Sequence, residues 1–214
     1  MLALPNHMTR TRRTCRAIVT LLALSATAVA LAGEGADEAE GTPEMTLRDL
    51  PHTDGNWQEG EAVIPAPANQ IRAWLVDYAR WPERFSDVQS AEVLGQTSDG
   101  AAIVRFRSRI ADRTITIHEW QTDWGLRYEG QGGDVSTRGR IFLVDQGDGS
   151  TRVIMQSTSE VHGFLRLFAT KGVKRKSAFN IMRAHLTSLW TLGLHRCHGN
   201  ASCPGWATAG HKAR

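Results

Sequence analysis

Between residues 88 and 161 the chain passes through six strand-like runs separated by only two to five residues. The runs are 88–96, 101–110, 113–123, 126–131, 135–145 and 151–161. Between them lie Ser98-Asp99-Gly100, Ala111-Asp112, Trp124-Gly125, Gly132-Gly133-Asp134 and Gln146-Gly147-Asp148-Gly149, all turn-forming in composition. Connections this short join antiparallel neighbours, because a parallel crossover needs a dozen residues or more. A meander is the simplest topology that results.

One hairpin is tight enough for its faces to be assigned. With Ala111 and Asp112 as the turn, Ile110 lies opposite Arg113, Ser108 opposite Ile115, Phe106 opposite Ile117 and Val104 opposite Glu119. One face then gathers Val104, Phe106, Ser108, Ile110, Ile115, Ile117 and Glu119. The other carries Arg105, Arg107 and Arg109 beside Thr114, Thr116 and His118. A one-residue slip would mix the two sets, so the pairing is well specified.

Flanking these runs are one further strand and three helices. Residues 57–64 form a strand stopped by Pro65 and Pro67. A helix follows over 68–78, with Ile71, Trp74, Leu75 and Tyr78 on one face, and Pro82 opens a short helix through Phe85. The longest helix is expected over 163–196, where Phe179, Met182, Leu186, Leu189 and Gly193 recur at alternating steps of three and four, flanked by Ala178, His185 and Leu192. Lys171, Lys174, Arg175 and Lys176 are unfavourable at a helix N-terminus, so either the helix begins well before them or Gly172 marks a bend.

The N-terminal part reads differently. Arg10, Arg12, Arg13 and Arg16 precede an uncharged run over 17–32 that ends Ala30-Leu31-Ala32, the pattern of a secretory signal peptide cleaved near Ala32. Sixteen residues are fewer than the roughly 20 a spanning helix needs. A periplasmic or secreted protein is expected. The formal charge of +3 comes from this leader, since residues 33–214 hold 21 basic and 22 acidic residues. Residues 33–61 carry nine acids against Arg48 alone, and 33–56 are expected to be an acidic, flexible tether to a single domain over 57–196. An exported, nearly neutral chain is a poor nucleic-acid binder.

In the tail 197–214, Cys197 and Cys203 remain after the leader, and a small terminal disulfide is the expectation in an oxidising compartment. The alternative is a metal site of His195, Cys197, His198 and Cys203, which adjacent Cys and His ligands would strain.

Strand, two short helices, six antiparallel strands and one long C-terminal helix is an order shared with a known superfamily. The stretch 57–193, about two thirds of the chain, resembles the START-like, or SRPBCC, helix-grip superfamily, which includes polyketide cyclases, lipid-transfer domains and coenzyme Q-binding proteins. The likeness lies in Val63-Ile64-Pro65-Ala66-Pro67, Trp74, Asp77-Tyr78-Ala79-Arg80-Trp81-Pro82-Glu83-Arg84-Phe85, Glu119-Trp120, Leu126-Arg127-Tyr128-Glu129-Gly130 and Gly147-Asp148-Gly149-Ser150-Thr151-Arg152-Val153. It implies an α+β fold with a curved seven-stranded antiparallel sheet around the C-terminal helix. It also implies a cavity between them for sterols, quinones, phospholipids or polyketides. It supplies no catalytic signature, because carriers and enzymes share the scaffold.

Within that fold, Phe106, Ser108, Ile115, Ile117, Glu119, Tyr128, Met182, His185, Leu186 and Leu189 are candidate ligand-binding residues. The apolar ones line a cavity or meet in a solid core. Glu119 on an inward face is costly unless paired or functional. It is an anchor for a polar group, an acid or base, or, the favoured alternative, a rim residue paired with a base. Tyr128 suits a core hydrogen bond or a ligand oxygen, and His185 a core position or a ligand contact. Tyr78, Trp81 and Phe85 shape a cavity mouth or pack beneath it. No nucleophile triad, phosphate loop or other metal cluster appears, so no cofactor is expected.

The function expected is carriage of a hydrophobic small molecule or lipid by a monomer. A cyclase- or dehydratase-type enzyme using Glu119 with Tyr128 or His185, and an envelope protein-binding module, are the alternatives. Lys171, Lys174, Arg175 and Lys176, beside Phe164, Leu165, Leu167 and Phe168, form a candidate contact with anionic membrane. A solvated helix face is the other reading.

Overall fold

The computed structural model describes residues 42–51 and 56–197. The leader, residues 33–41 of the expected tether, His198 and Cys203 lie outside the described residues.

The elements follow in the order β1 (Met45–Asp49), β2 (Gln58–Ile64), α1 (Ala68–Val76), a 3-10 turn (Tyr78–Arg80), α2 (Trp81–Arg84), β3 (Val88–Gln96), β4 (Ala102–Ser108), β5 (Arg113–Thr122), β6 (Gly125–Gly132), β7 (Val135–Asp145), β8 (Thr151–Val161), a second 3-10 turn (Gly163–Leu167) and α3 (Lys171–Cys197). The strands form one sheet in the order β1-β2-β8-β7-β6-β5-β4-β3, every pair antiparallel. From β3 to β8 it is the meander that the short turns require.

Among the described residues there are eight strands rather than seven. The extra one, β1, lies in the acidic stretch expected to be a tether, and its Met45 to Asp49 pair with Ala62 to Gln58. The acid count there hides an alternation: Met45 and Leu47 pack on the core while Arg48 binds Glu59 on the other face. Two apolar side chains and a ladder of backbone hydrogen bonds hold the segment on the free edge of β2.

The β4–β5 hairpin differs in register from its sequence reading. Ser108 faces Arg113, Phe106 faces Ile115, Val104 faces Ile117 and Ala102 faces Glu119, so residues 109–112 form the turn. Asp112 takes a left-handed φ of 43° there, and the Ser108 hydroxyl accepts the Ala111 N–H at 3.1 Å. Moving the pairing by two residues keeps every side chain on its expected face, because strand geometry repeats every two. Ile110 is the exception: it leaves the ladder and is exposed.

The core lies between the sheet and the helices. Met182, Leu186, Leu189 and Gly193 of α3 are buried, as their spacing predicts, against β2 and β8. Two glycines set the approach. A Cβ on Gly60 would lie 3.1 Å from the Met182 Cβ, and one on Gly193 would lie 2.9 Å from the Pro65 ring. Cys197, the last residue of α3, is buried and disulfide-bonded.

Neither expectation for the start of the long helix holds. Gly163–Leu167 is a separate 3-10 turn, and α3 begins at Lys171, one residue before Gly172. Four cations therefore occupy its first turns. Thr170 offsets part of that cost: its hydroxyl accepts the Val173 N–H at 3.3 Å and its carbonyl the Lys174 N–H at 3.1 Å. Arg175 is neutralised by Asp49 of β1 at 3.1 Å and lies over the Phe179 ring.

Candidate functional site

The inward face of β5 ends in a carboxylate. Glu119 follows Ile117 at a two-residue step, and both are buried, Glu119 to 4% exposure. The partner that makes this tolerable comes from the first 3-10 turn, where the Tyr78 hydroxyl donates to Glu119 Oε1 at 2.7 Å. No basic residue pairs with Glu119 among the described residues, so the rim position favoured from sequence is replaced by a buried one. Oε2 has no hydrogen bond among the described residues.

Tyr78 is held by what surrounds it. The Trp81 indole N–H donates to the Leu75 carbonyl at 2.8 Å, tying α2 to the end of α1, and Arg84 pairs with Asp77 at 2.9 Å. Tyr78 meets Trp81 edge to face at 5.1 Å, and Trp81 meets Phe106 of β4 at 5.6 Å. The turn between α1 and β3 is thus clamped from both sides, and its tyrosine points at the sheet.

Across the sheet, Glu119 stands opposite Tyr128 of β6, Tyr128 opposite Gly139 of β7, and Gly139 opposite Ser157 of β8. The glycine is required: a Cβ there would lie 2.4 Å from the Tyr128 hydroxyl and ring. With that space open, the Tyr128 ring lies over β7 and its hydroxyl reaches Ser157.

Burial governs the protonation of this row. It pushes the Glu119 carboxyl up to about 7, opposed by the Tyr78 hydrogen bond, which favours the charged form. Tyr78 is raised far above the usual phenol range, first by burial and then by the neighbouring Glu119 charge. Tyr128 is pushed up to about 12 by burial, with Ser157 opposing and Glu119 adding. Near neutral pH, Glu119 exchanges a proton while both phenols stay neutral donors.

A cavity of about 400 Å³ opens onto this group, lined by Val76, Tyr78, Ala102, Glu119 and Gln121 with Asp99 and Gly100 of the β3–β4 turn. A larger groove of about 540 Å³ lies on the other face, between His118, Glu129, Arg138 and Glu160, all exposed. Of the two, the smaller is the candidate site, because there a buried ionisable group meets open space among the described residues.

The sequence candidates fall into separate groups. Glu119 and Tyr128 are neighbours. Ile117, Met182, Leu186 and Leu189 are buried in the core, with Phe106 and Ile115 packed against it. Ser108 caps the β4–β5 turn. His185 is away from Glu119: its Nε2 faces Asp87 Oδ1 at 3.0 Å, without hydrogen-bond alignment, and its ring meets Phe85 at 5.0 Å. Lys171, Lys174, Arg175 and Lys176 lie at the start of α3, far along the chain from the carboxylate.

The partners of two buried polar side chains escaped the sequence reading. Tyr78 was expected to shape a cavity mouth with Trp81 and Phe85 or to pack beneath it, but its pairing with Glu119 spans 41 residues. Asp87, buried to 2% exposure, follows Ser86 in what reads as a polar turn. The aromatic run Tyr78, Trp81, Phe85 was the available signal, since buried tyrosines need a partner.

Among solved structures, a START superfamily protein from Mycobacterium smegmatis is similar at 16% identity and TM-score 0.56, over 66% of this chain and 99% of its own. A protein from Thermus thermophilus matches at 19% identity and TM-score 0.55, over 65% and 97%. The Zhui aromatase/cyclase from Streptomyces sp. R1128 matches at 15% identity and TM-score 0.55, over 74% and 98%. At these identities the likeness is one of fold. Comparison with curated proteins gives no match. Residues 59–189, more than half of the chain, match the family described as polyketide cyclase / dehydrase and lipid transport, and the protein belongs to that family.

Proposed function

We propose that this protein binds a small, largely hydrophobic molecule and carries it without chemical change, holding one polar group of that molecule at Glu119 Oε2. One observation supports this above the rest: a buried carboxyl, bonded on one oxygen by Tyr78, leaves its other oxygen without a partner among the described residues, beside a cavity of about 400 Å³. A hydroxyl on an apolar body matches that site in either state, accepting from the protonated carboxyl or donating to the ionised one, and a carbonyl matches it while the carboxyl is protonated. Native mass spectrometry and organic extraction of the purified protein should find such a molecule, and Glu119→Ala should bind a fluorescent probe with an apolar body and one hydroxyl at least about tenfold more weakly. A parent protein that is always empty and binds no such probe would sink this function.

A second reading is proton-transfer chemistry of the cyclase or dehydratase kind, and the Glu119 carboxyl at about 7 between two phenols favours it. Turnover lost in Glu119→Gln with binding kept would distinguish it from carriage. We also propose export, on the strength of residues 1–32. N-terminal sequencing of the protein from the envelope should begin near residue 33.

A further inference from the structure

The turn between β8 and α3 exposes more large apolar surface than any other short segment described. Phe164 is 68% exposed, Leu167 73%, Phe168 64% and Val173 58%. These side chains have no place in the core, and among the described residues the two phenylalanine rings stack on each other alone, edge to face at 5.2 Å. Such a cluster on a water-facing surface marks a contact site.

What surrounds it selects the partner. Residues 163–196 contain seven basic residues and no acid. Arg166 lies inside the aromatic turn, and Lys171, Lys174 and Lys176 follow it; among the described residues none of these four forms an ion pair. Arg175 is different, being held by Asp49. Asp134 lies beside Gly163, and Glu160, three residues before it, faces Arg138 at 3.6 Å. Aromatic and aliphatic side chains ringed by long, unpaired cations match a bilayer interface, where the apolar tips enter the acyl boundary and the ammonium groups reach the headgroups.

We propose that Gly163–Leu167 together with the first turns of α3 is a docking surface for anionic lipid bilayers, with Phe164, Leu167 and Phe168 as the inserted group and Arg166, Lys171, Lys174 and Lys176 as the headgroup contacts. It operates whether or not the cavity is loaded. Each of these cations contributes about 1 kcal/mol near such a surface, about fivefold in partitioning. Removing three of them should therefore cost about 100-fold, and reversing them more than that.

The test uses the full chain with Cys15→Ser and an environment-sensitive fluorophore on Leu167→Cys, so that the readout is local to the turn. On vesicles of phosphatidylglycerol and phosphatidylcholine at low salt its emission should shift to the blue. It should stay unchanged on pure phosphatidylcholine, and so should the same fluorophore on Arg105→Cys of the outer sheet face. Lys171→Glu/Lys174→Glu/Lys176→Glu should lower vesicle affinity at least about 100-fold, and Phe164→Ser/Phe168→Ser should remove the shift. The charge reversal places acids at a helix N-terminus, where they favour the helix, so its effect is not unfolding. An unshifted Leu167 probe on anionic vesicles, or equal binding by the reversed variant, overturns the proposal. So does a concentration-dependent dimer that Phe164→Ser/Phe168→Ser dissolves without any vesicle binding, which would assign the patch to a second copy of the chain.

Discussion

Tyr78 and Glu119, 41 residues apart, share a buried 2.7 Å hydrogen bond that joins the α1–α2 turn to the central sheet. The phenol is the one protein donor to that carboxyl among the described residues, and the carboxyl is the one polar group the phenol meets.

Glu119 makes stability depend on pH in a defined window. Its folded pKa is raised from 4.5 to about 7, so the folded state holds the proton more tightly than the unfolded chain. The associated stability is complete below pH 4.5, falls as pH rises and is lost above about 7, a change of about 3 kcal/mol. Glu119→Gln removes this dependence. Urea unfolding should find it equal to the parent near pH 4.5 and up to about 3 kcal/mol more stable at pH 8. Parallel curves for the two proteins would contradict the assignment.

Tyr78→Phe should act in the opposite sense. Without the phenol, the ionised carboxylate loses the hydrogen bond that favours it, and its pKa should rise above the parent value. The loss should be about 2 kcal/mol at pH 8 and about 1 kcal/mol at pH 4.5, where the carboxyl is neutral. Equal losses at the two pH values would show that Tyr78 contributes packing alone.

Gly139→Ala tests the row that ends at Ser157. The added methyl would meet the Tyr128 ring at 2.4 Å and the Gln156 carbonyl oxygen at 2.6 Å, forcing the tyrosine off β7. A loss of about 1–3 kcal/mol is expected. In a Tyr128→Leu background the alanine should cost less, because part of the clash has gone, and the shortfall measures the coupling.

His185 and Asp87 should behave as a pair. Asp87 is almost fully buried, and His185 Nε2 is its one neighbouring ring nitrogen at 3.0 Å, itself about a fifth exposed. His185→Leu should cost about 2–3 kcal/mol by leaving the carboxylate buried alone. Adding Asp87→Asn should recover part of that loss. Additive losses would show that the two residues contribute independently.

Local patterns carried most of the fold. Strands β3, β7 and β8 occupy the stretches their alternation marked, and the α3 stripe is buried where its three-and-four spacing put it. Both signals are written in near neighbours, since side-chain direction repeats every two residues in a strand and every 3.6 in a helix. Where the reading failed, a distant partner decided. Strand β1 exists because β2 offers it a free edge, and the long helix starts late because the chain turns at Gly163, whose φ is +58°.

The site divides the same way. Sequence alone put Glu119 on the inward face of β5, because a two-residue error in register leaves that face unchanged. It could not say that Tyr78 would be the residue to meet it, nor that Asp87 would take His185 away. Those contacts depend on where a clamped turn and a helix come to rest against the sheet, and no periodicity within either segment encodes the distance between them. Tertiary packing thereby also decided the charge of the site, since the depth of burial and a single donor set how tightly Glu119 holds its proton.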